Sequence, residues 1–335
     1  MMGRRRFVGA LAALGAVATR AQVPGRRYRV GYIGFTINGD DSPESRRNWD
    51  GLVERLRELG LRDGENLVLE KRFFEGRPER YTAIARELVD SGFDLAIASS
   101  GAAARAVMDA SRGRMPVVIL FVSDPVRAGL VQSLAHPGGP VTGISNLADE
   151  LTPKRIELLK AAMPGAARVA FARCPDCEQA AGRPAAEVAD RFDGEAAAAR
   201  RVGVTLLPLE VNTVADFDAA RKRLRNDRPD ALLIGATQTN VALRDEWITL
   251  IDALRLPTMA PYAAFGAMLS YGPDVAAIFR KAADYVARIL NGARPGDLPM
   301  EQPTELEFVI DERIARRIGI DIPRSVLLRA TRVLQ

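Results

Sequence analysis

Cys174 and Cys177 are the only cysteines in the 335 residues and His136 is the only histidine, so the chemistry open to this chain is narrow. A C-x-x-C pair in a reducing compartment suggests thiol redox chemistry or half of a zinc site. Zinc needs two further good ligands, and one histidine does not complete the set. In an oxidising compartment the same spacing reads as a small disulfide, with two free thiols or a redox or metal pair as the alternatives. A Ser-His-Asp arrangement would depend wholly on His136, which stands before Pro137-Gly138-Gly139 in a turn-like setting, and no G-x-S-x-G occurs. No G-x-G-x-x-G follows a strand, and neither G-x-x-x-x-G-K-[ST] nor H-E-x-x-H is present. The expectation is a protein that binds rather than catalyses, with no cofactor.

Binding chemistry is then sought in polar residues that end apolar runs, because open α/β sheets hold ligands outside the carboxyl ends of their strands. Such positions are Thr36, Ser99, Ser100, Gly101, Ser123 and Asp124 in the first part of the chain, and Cys174, Thr237, Tyr262 and Asp274 in the second. Asp124 is a carboxylate suited to an ammonium or hydroxyl group in a low-dielectric cleft. Its competing reading is a turn residue, since Asp124-Pro125 is a common turn pair. Ser99-Ser100-Gly101 opens a helix, so its hydroxyls and free backbone N–H groups could hold a ligand carboxylate. Plain capping by Ser100 accounts for the same residues. Tyr262 could stack on an aromatic or apolar ligand.

The elements that must position these residues are legible from periodicity. Residues 117–122 (VVILFV) form a continuous apolar run, the pattern of a parallel strand buried on both faces. They break at Ser123-Asp124-Pro125, a short amphipathic piece follows at 128–134, and a second strand-like run lies at 141–144. Earlier strands are read at 28–35, 67–73 and 94–99, separated by helices that start at Ser42-Pro43 and around Tyr81. From Thr152-Pro153 the rhythm restarts, with strands at 168–173, 205–211, 231–235, 257–262 and 268–271. One long Ala-rich helix is expected up to Arg201, and a helix capped by Asp274 should carry Val275, Ile278, Phe279, Ala282 and Val286. Strands alternating with helices, twice over, mean two α/β domains with parallel sheets.

The formal charge is +5, but Arg4, Arg5, Arg6 and Arg20 lie in the first 21 residues, which carry no acid. Without them 47 basic residues become 43 against 42 acidic ones, so a nucleic-acid partner loses its compositional support. The same segment, residues 1–21, reads as an export signal: three arginines, a short apolar stretch, then Thr19-Arg20-Ala21 as a cleavage site, of the Sec or twin-arginine type. The mature protein is expected outside the cytoplasm, in the periplasm.

Three places together resemble one family. The first is Asp124-Pro125-Val126, Gly129-Leu130-Val131, Ser133-Leu134-Ala135, Pro137-Gly138-Gly139 and Val141-Thr142-Gly143. The second is Leu269-Ser270-Tyr271-Gly272-Pro273-Asp274, and the third is residues 299–303 (PMEQP) with 319–323 and 327–330. In this order they resemble exported ABC-transporter substrate-binding proteins of the TrpX-like type. Pro140 and His136 depart from that pattern, where Asn and Arg are usual, and the Cys174–Cys177 loop is unlike it. The resemblance implies a periplasmic binding protein type I fold: α/β, two Rossmann-like lobes with parallel sheets joined by a hinge near Ser145 and Asn146. The first lobe would take residues 28–145 plus about 272–293, and the second 147–270 plus about 297–335. It implies a monomeric receptor that captures an amino acid or similar small carboxylate and delivers it to an ABC transporter permease in the inner membrane. A ligand-sensing module for a membrane receptor kinase and an exported α/β enzyme are the alternatives.

Overall fold

The computed structural model describes residues 25–34, 42–75, 77, 79–146, 150–180 and 182–335. The export-signal segment 1–21 and the candidate ligand residue Thr36 lie outside them. The chain lays down β1 (Tyr28–Gly34), α1 (Pro43–Glu58), β2 (Leu67–Phe73), α2 (Arg80–Asp90), β3 (Leu95–Ala98), α3 (Gly101–Ser111), β4 (Val117–Val122) and β5 (Val141–Ser145). These strands form a parallel sheet in the order β2-β1-β3-β4-β5. The short amphipathic piece at 128–134 makes turns and bends, with Leu130 and Val131 tucked into the core.

The rhythm resumes with α4 (Thr152–Ala162), β6 (Arg168–Arg173), α5 (Pro175–Ala180), α6 (Ala185–Arg201), β7 (Thr205–Glu210), α7 (Phe217–Asp227) and β8 (Ala231–Ile234). It continues through α8 (Gln238–Ala242), α9 (Arg244–Leu254), β9 (Thr258–Ala260), β10 (Leu269–Pro273) and α10 (Val275–Leu290). The chain closes with β11 (Leu306–Asp311), α11 (Glu312–Ile318), α12 (Arg324–Leu327) and β12 (Arg332–Leu334). The second sheet runs β12-β11-β10-β9-β8-β6-β7. The single long helix expected after β6 is two, because Pro184 stands at the start of α6 and its ring cannot continue a preceding helix.

Local chemistry explains the helix starts. Ser42 caps α1 by accepting the Ser45 N–H at 3.2 Å, and Pro43 takes the first position, where a missing N–H costs nothing. Asp274 caps α10 through the N–H groups of Ala276 and Ala277. α1 and α10 pack on one face of the first sheet through Leu52, Leu56, Ile278, Phe279, Ala282 and Val286. Each such Leu, Ile or Phe contributes about 1.5–3 kcal/mol by leaving water. α2 and α3 cover the opposite face. In the second lobe α4, α11 and α12 line one face, and α7 and α9 the other.

Three features differ from the expected organisation. β11 runs antiparallel to β10, so the second sheet is parallel only in part. The cause is the route of the chain: it returns from the first lobe beside the carboxyl end of β10, where the Asp274 N–H meets the Glu305 carbonyl at 2.9 Å, and must run away from that end. Residues 298–301 belong to the first lobe, not the second. Leu298 and Met300 are buried in its two core clusters, Thr142 donates to the Leu298 carbonyl at 2.7 Å, and Met300 N–H bonds Leu134. Gly272 and Pro273, at the edge of the stretch expected from about 272 in the first lobe, pair within β10 of the second sheet. The chain therefore passes between lobes after β5, between β10 and α10, and after Glu301.

Candidate functional site

Strands β1 to β5 take the order 2-1-3-4-5, and β6 to β10 repeat it as β7-β6-β8-β9-β10. In such a sheet the strand order reverses between the first and third strands, leaving a crevice at their carboxyl ends. In the first lobe that crevice is framed by Ser99-Ser100-Gly101 after β3, and in the second by Cys174 after β6 and Thr237 after β8. The ends of the two sheets face one another. Tyr262 after β9 lies against Phe121 of β4, ring centroids 6.2 Å apart at 65°. The turn Ala263–Phe265 touches α1, and Ala242 of α8 is buried in the first lobe's core cluster. A pocket along this seam is lined by Arg47, Asn48, Tyr262, Ala263, Val275 and Glu307.

The predicted hinge residues sit where two crossings run side by side. Ser145 N–H donates to the Glu301 carbonyl at 2.9 Å, and Asn146 N–H to the Val122 carbonyl at 2.9 Å. The Asn146 amide reaches the Tyr262 hydroxyl at 3.0 Å, so the crossing also orients a second-lobe ring. Arg155 of α4, fully buried, donates its Nε to the Tyr271 carbonyl at 2.7 Å and fastens the next crossing.

Several predicted ligand residues carry structural hydrogen bonds. Ser99 is buried and its hydroxyl donates to the Ile33 carbonyl at 2.7 Å. Ser100, also buried, accepts the Ala103 N–H at 3.1 Å as the cap of α3. Burial pushes the neighbouring Tyr81 phenol up to about 12, the Ser100 hydroxyl working the other way. Gly101 begins α3 beside Leu130 and Val122. Thr237 caps α8 through Asn240 N–H, and Asp274 caps α10 with Arg47 at 3.6 Å from its carboxylate. Asp124 accepts the Arg127 N–H at 2.9 Å and its Nε at 3.2 Å, which is the turn reading of Asp124-Pro125. Ser123 is exposed at the end of β4.

Cys174 and Cys177 form a disulfide with Cα atoms 5.3 Å apart. It lies at the second lobe's crevice, with Cys177 Sγ 3.2 Å from the Thr239 hydroxyl. Among the described residues no cluster of three or more His, Cys, Asp or Glu is placed to hold a metal, and no helix is long and apolar enough to cross a membrane.

Sequence reading missed four features here. Arg127 stands 3.0 Å from Glu187 of α6, and so ties the loop after β4 to the second lobe; the Asp-x-x-Arg spacing was the available signal. Arg47 pairs with Glu307 at 3.0 Å and Arg332 with Glu44 at 3.0 Å, two further bridges between lobes. Asn240, fully buried, donates to both Ala172 and Gly235 carbonyls at 3.1 Å and fixes the second crevice. Phe121 was hidden inside a strand.

The chain is 24% identical over 267 residues to the tyrosine-binding protein of Clostridioides difficile (strain R20291), covering 78% of this chain and 73% of that protein. Its structure is similar to that of a conserved domain protein of Vibrio cholerae O1 biovar El Tor, at 27% identity and TM-score 0.77, over 92% of this chain and 100% of the other. It is similar, too, to the ABC domain of Streptococcus pneumoniae in complex with L-Trp, at 23% identity and TM-score 0.76, with the same coverage. Residues 39–334 match the family described as ABC transporter substrate binding protein, and the chain belongs to that family.

Proposed function

We propose that this chain is an extracytoplasmic receptor that captures an amino acid with an aromatic side chain between its lobes and hands it to an ABC permease. The observation that carries the ligand class is the seam itself. Tyr262, held through its hydroxyl by Asn146, brings an aromatic ring from the second lobe against the aromatic residues of the first. Rings are preferred partners for rings, in tilted or edge-to-face geometry. The named ligands of the two relatives, tyrosine and L-Trp, support the same class. Closure is a rotation of one lobe on the other about the crossings at Ser145 and Asn146. The protein works as a monomer in the periplasm, exported by the segment 1–21, and performs no catalysis on its ligand.

The test is a thermal-shift panel of amino acids followed by calorimetry. A ligand at 100 times its Kd adds about 2.7 kcal/mol of apparent stability. L-Tyr, L-Trp or L-Phe should raise the unfolding midpoint well above the shifts given by small aliphatic amino acids. Release of a converted product from any of them would overturn the receptor reading.

A further inference from the structure

We infer that Phe121 determines which ligand side chains the cleft accepts, because a one-residue reset in β4 turns its ring onto the ring of Tyr262. This rests on the amino-acid reading above and adds the residue that sets the preference.

In a strand successive side chains alternate between faces. Val117 and Ile119 lie on the α2/α3 face, and Val118 and Leu120 on the α1/α10 face. Alternation continued would send Phe121 to the α2/α3 face and Val122 to the other. The opposite is found: Phe121 packs on the α1/α10 side, 6.2 Å from the Phe279 ring, and Val122 joins the α2/α3 cluster. The parity changes at Phe121 itself, whose φ is +59°, a region that bulky residues avoid. Pairing with β5 slips between Ile119 and Val122 at the same place. A bulge of this kind re-aims a side chain and is frequent beside ligand sites.

Gly143 across the slip is fitted to it. Its φ is +134°, and a Cβ there would come 2.3 Å from the Ile119 carbonyl oxygen. Two backbone positions thus hold uncommon conformations to move one ring. A phenylalanine needed only for the core would gain its burial without the reset, on the face that alternation offers. The ring ends half-buried at the carboxyl end of β4, opposite Tyr262 after β9, and these two strands hold the same place in the order of their sheets. The two rings meet edge to face across the seam, and parting of the lobes would offer both to a flat apolar side chain.

Phe121→Asn tests this, since asparagine tolerates the left-handed region and keeps the bulge while removing the ring. Phe121→Leu keeps an apolar group without aromaticity. Both are titrated calorimetrically with L-Trp, L-Tyr, L-Phe, L-Leu and L-Ala, and unfolding midpoints of the ligand-free variants are recorded. The expected result is a loss of roughly tenfold or more in affinity for the aromatic ligands in Phe121→Asn and a smaller loss in Phe121→Leu. An aromatic Kd within twofold of wild type in either folded variant overturns the inference while leaving the receptor reading intact. Wild-type protein that takes only aliphatic amino acids overturns it as well. Wild-type protein that binds none of the panel overturns both.

Discussion

Arg127→Ala should weaken ligand binding by roughly 1.4- to 5-fold although no atom of Arg127 is assigned to the ligand. Its guanidinium lies 3.0 Å from the Glu187 carboxylate on the other lobe and is aimed there by Asp124 at 3.2 Å. The side chains of Arg127 and Glu187 are 36% and 45% exposed, so solvent screens the pair and its worth is that of a surface bridge, about 0.2–1 kcal/mol. Parting of the lobes would separate Arg127 from Glu187, so on the receptor reading proposed above the loss of this pair lowers the closed population by that factor, and the apparent Kd rises in proportion. The change should fall mainly in the dissociation rate. Calorimetry and stopped-flow with L-Tyr at low and high salt are the assays. At several hundred millimolar salt the wild type should approach the variant, because the Debye length shrinks from about 10 Å at 0.1 M toward 3 Å at 1 M. Glu187→Gln combined with Arg127→Ala should cost little more than either alone. Asp124→Ala should give the same modest loss of affinity plus about 1 kcal/mol of stability from the lost turn hydrogen bond. Equal Kd values at low salt refute the latch, as does a difference that salt leaves untouched. A loss beyond 100-fold would instead make Arg127 a ligand contact.

Gly143→Ala should destabilise the protein by about 2–4 kcal/mol in urea unfolding, because its methyl would meet the Ile119 carbonyl at 2.3 Å in a backbone region closed to alanine; a change below 0.5 kcal/mol would mean that β4 shifts freely. Reduction of Cys174–Cys177 should cost about 2 kcal/mol by loop-closure entropy, since the bridge spans a sequence separation of only 3. Dithiothreitol should accordingly lower the melting temperature by a few degrees in wild type and not at all in the Cys174→Ser/Cys177→Ser protein. Asp230 accepts the N–H groups of Ala167 and Arg168, each at 2.8 Å, and these bonds hold its carboxyl below the usual carboxylate range. Its folded pKa lies below the unfolded value of about 3.9, so its contribution is complete above that value and is lost as pH falls through the folded one. The urea midpoint of wild type should fall more steeply below about pH 4 than that of Asp230→Ala, and parallel profiles would remove Asp230 from the acid transition.

Much of the scaffold could be read in advance because its signals are local. Ser42-Pro43 and Asp274 announced their helices through side chains that cap within three residues, and the apolar faces of α1 and α10 repeat at helical spacing. The same locality leaves the site with two readings. Ser100, Thr237, Asp124 and Asp274 each end a strand or open a helix with a polar side chain, and each bonds the nearest backbone N–H groups there. A residue that caps and a residue that binds look alike in one dimension. The antiparallel β11 and the placement of residues 298–301 depend on where the chain crosses between lobes, and no local pattern encodes that route.

Phe121 shows a deeper limit. Alternation is visible in a sequence only when the two faces of a strand differ in polarity. β4 is covered on both faces, so VVILFV is apolar at every position, and a shift of parity within it leaves the pattern unchanged. The only trace outside the strand is Gly143, whose missing side chain makes room for the bulge, and a glycine in an apolar strand equally marks a tight bend or the close approach of another backbone. A parallel strand covered on both faces can therefore turn one ring out of register without announcing it, and that is what the inference about Phe121 requires of β4.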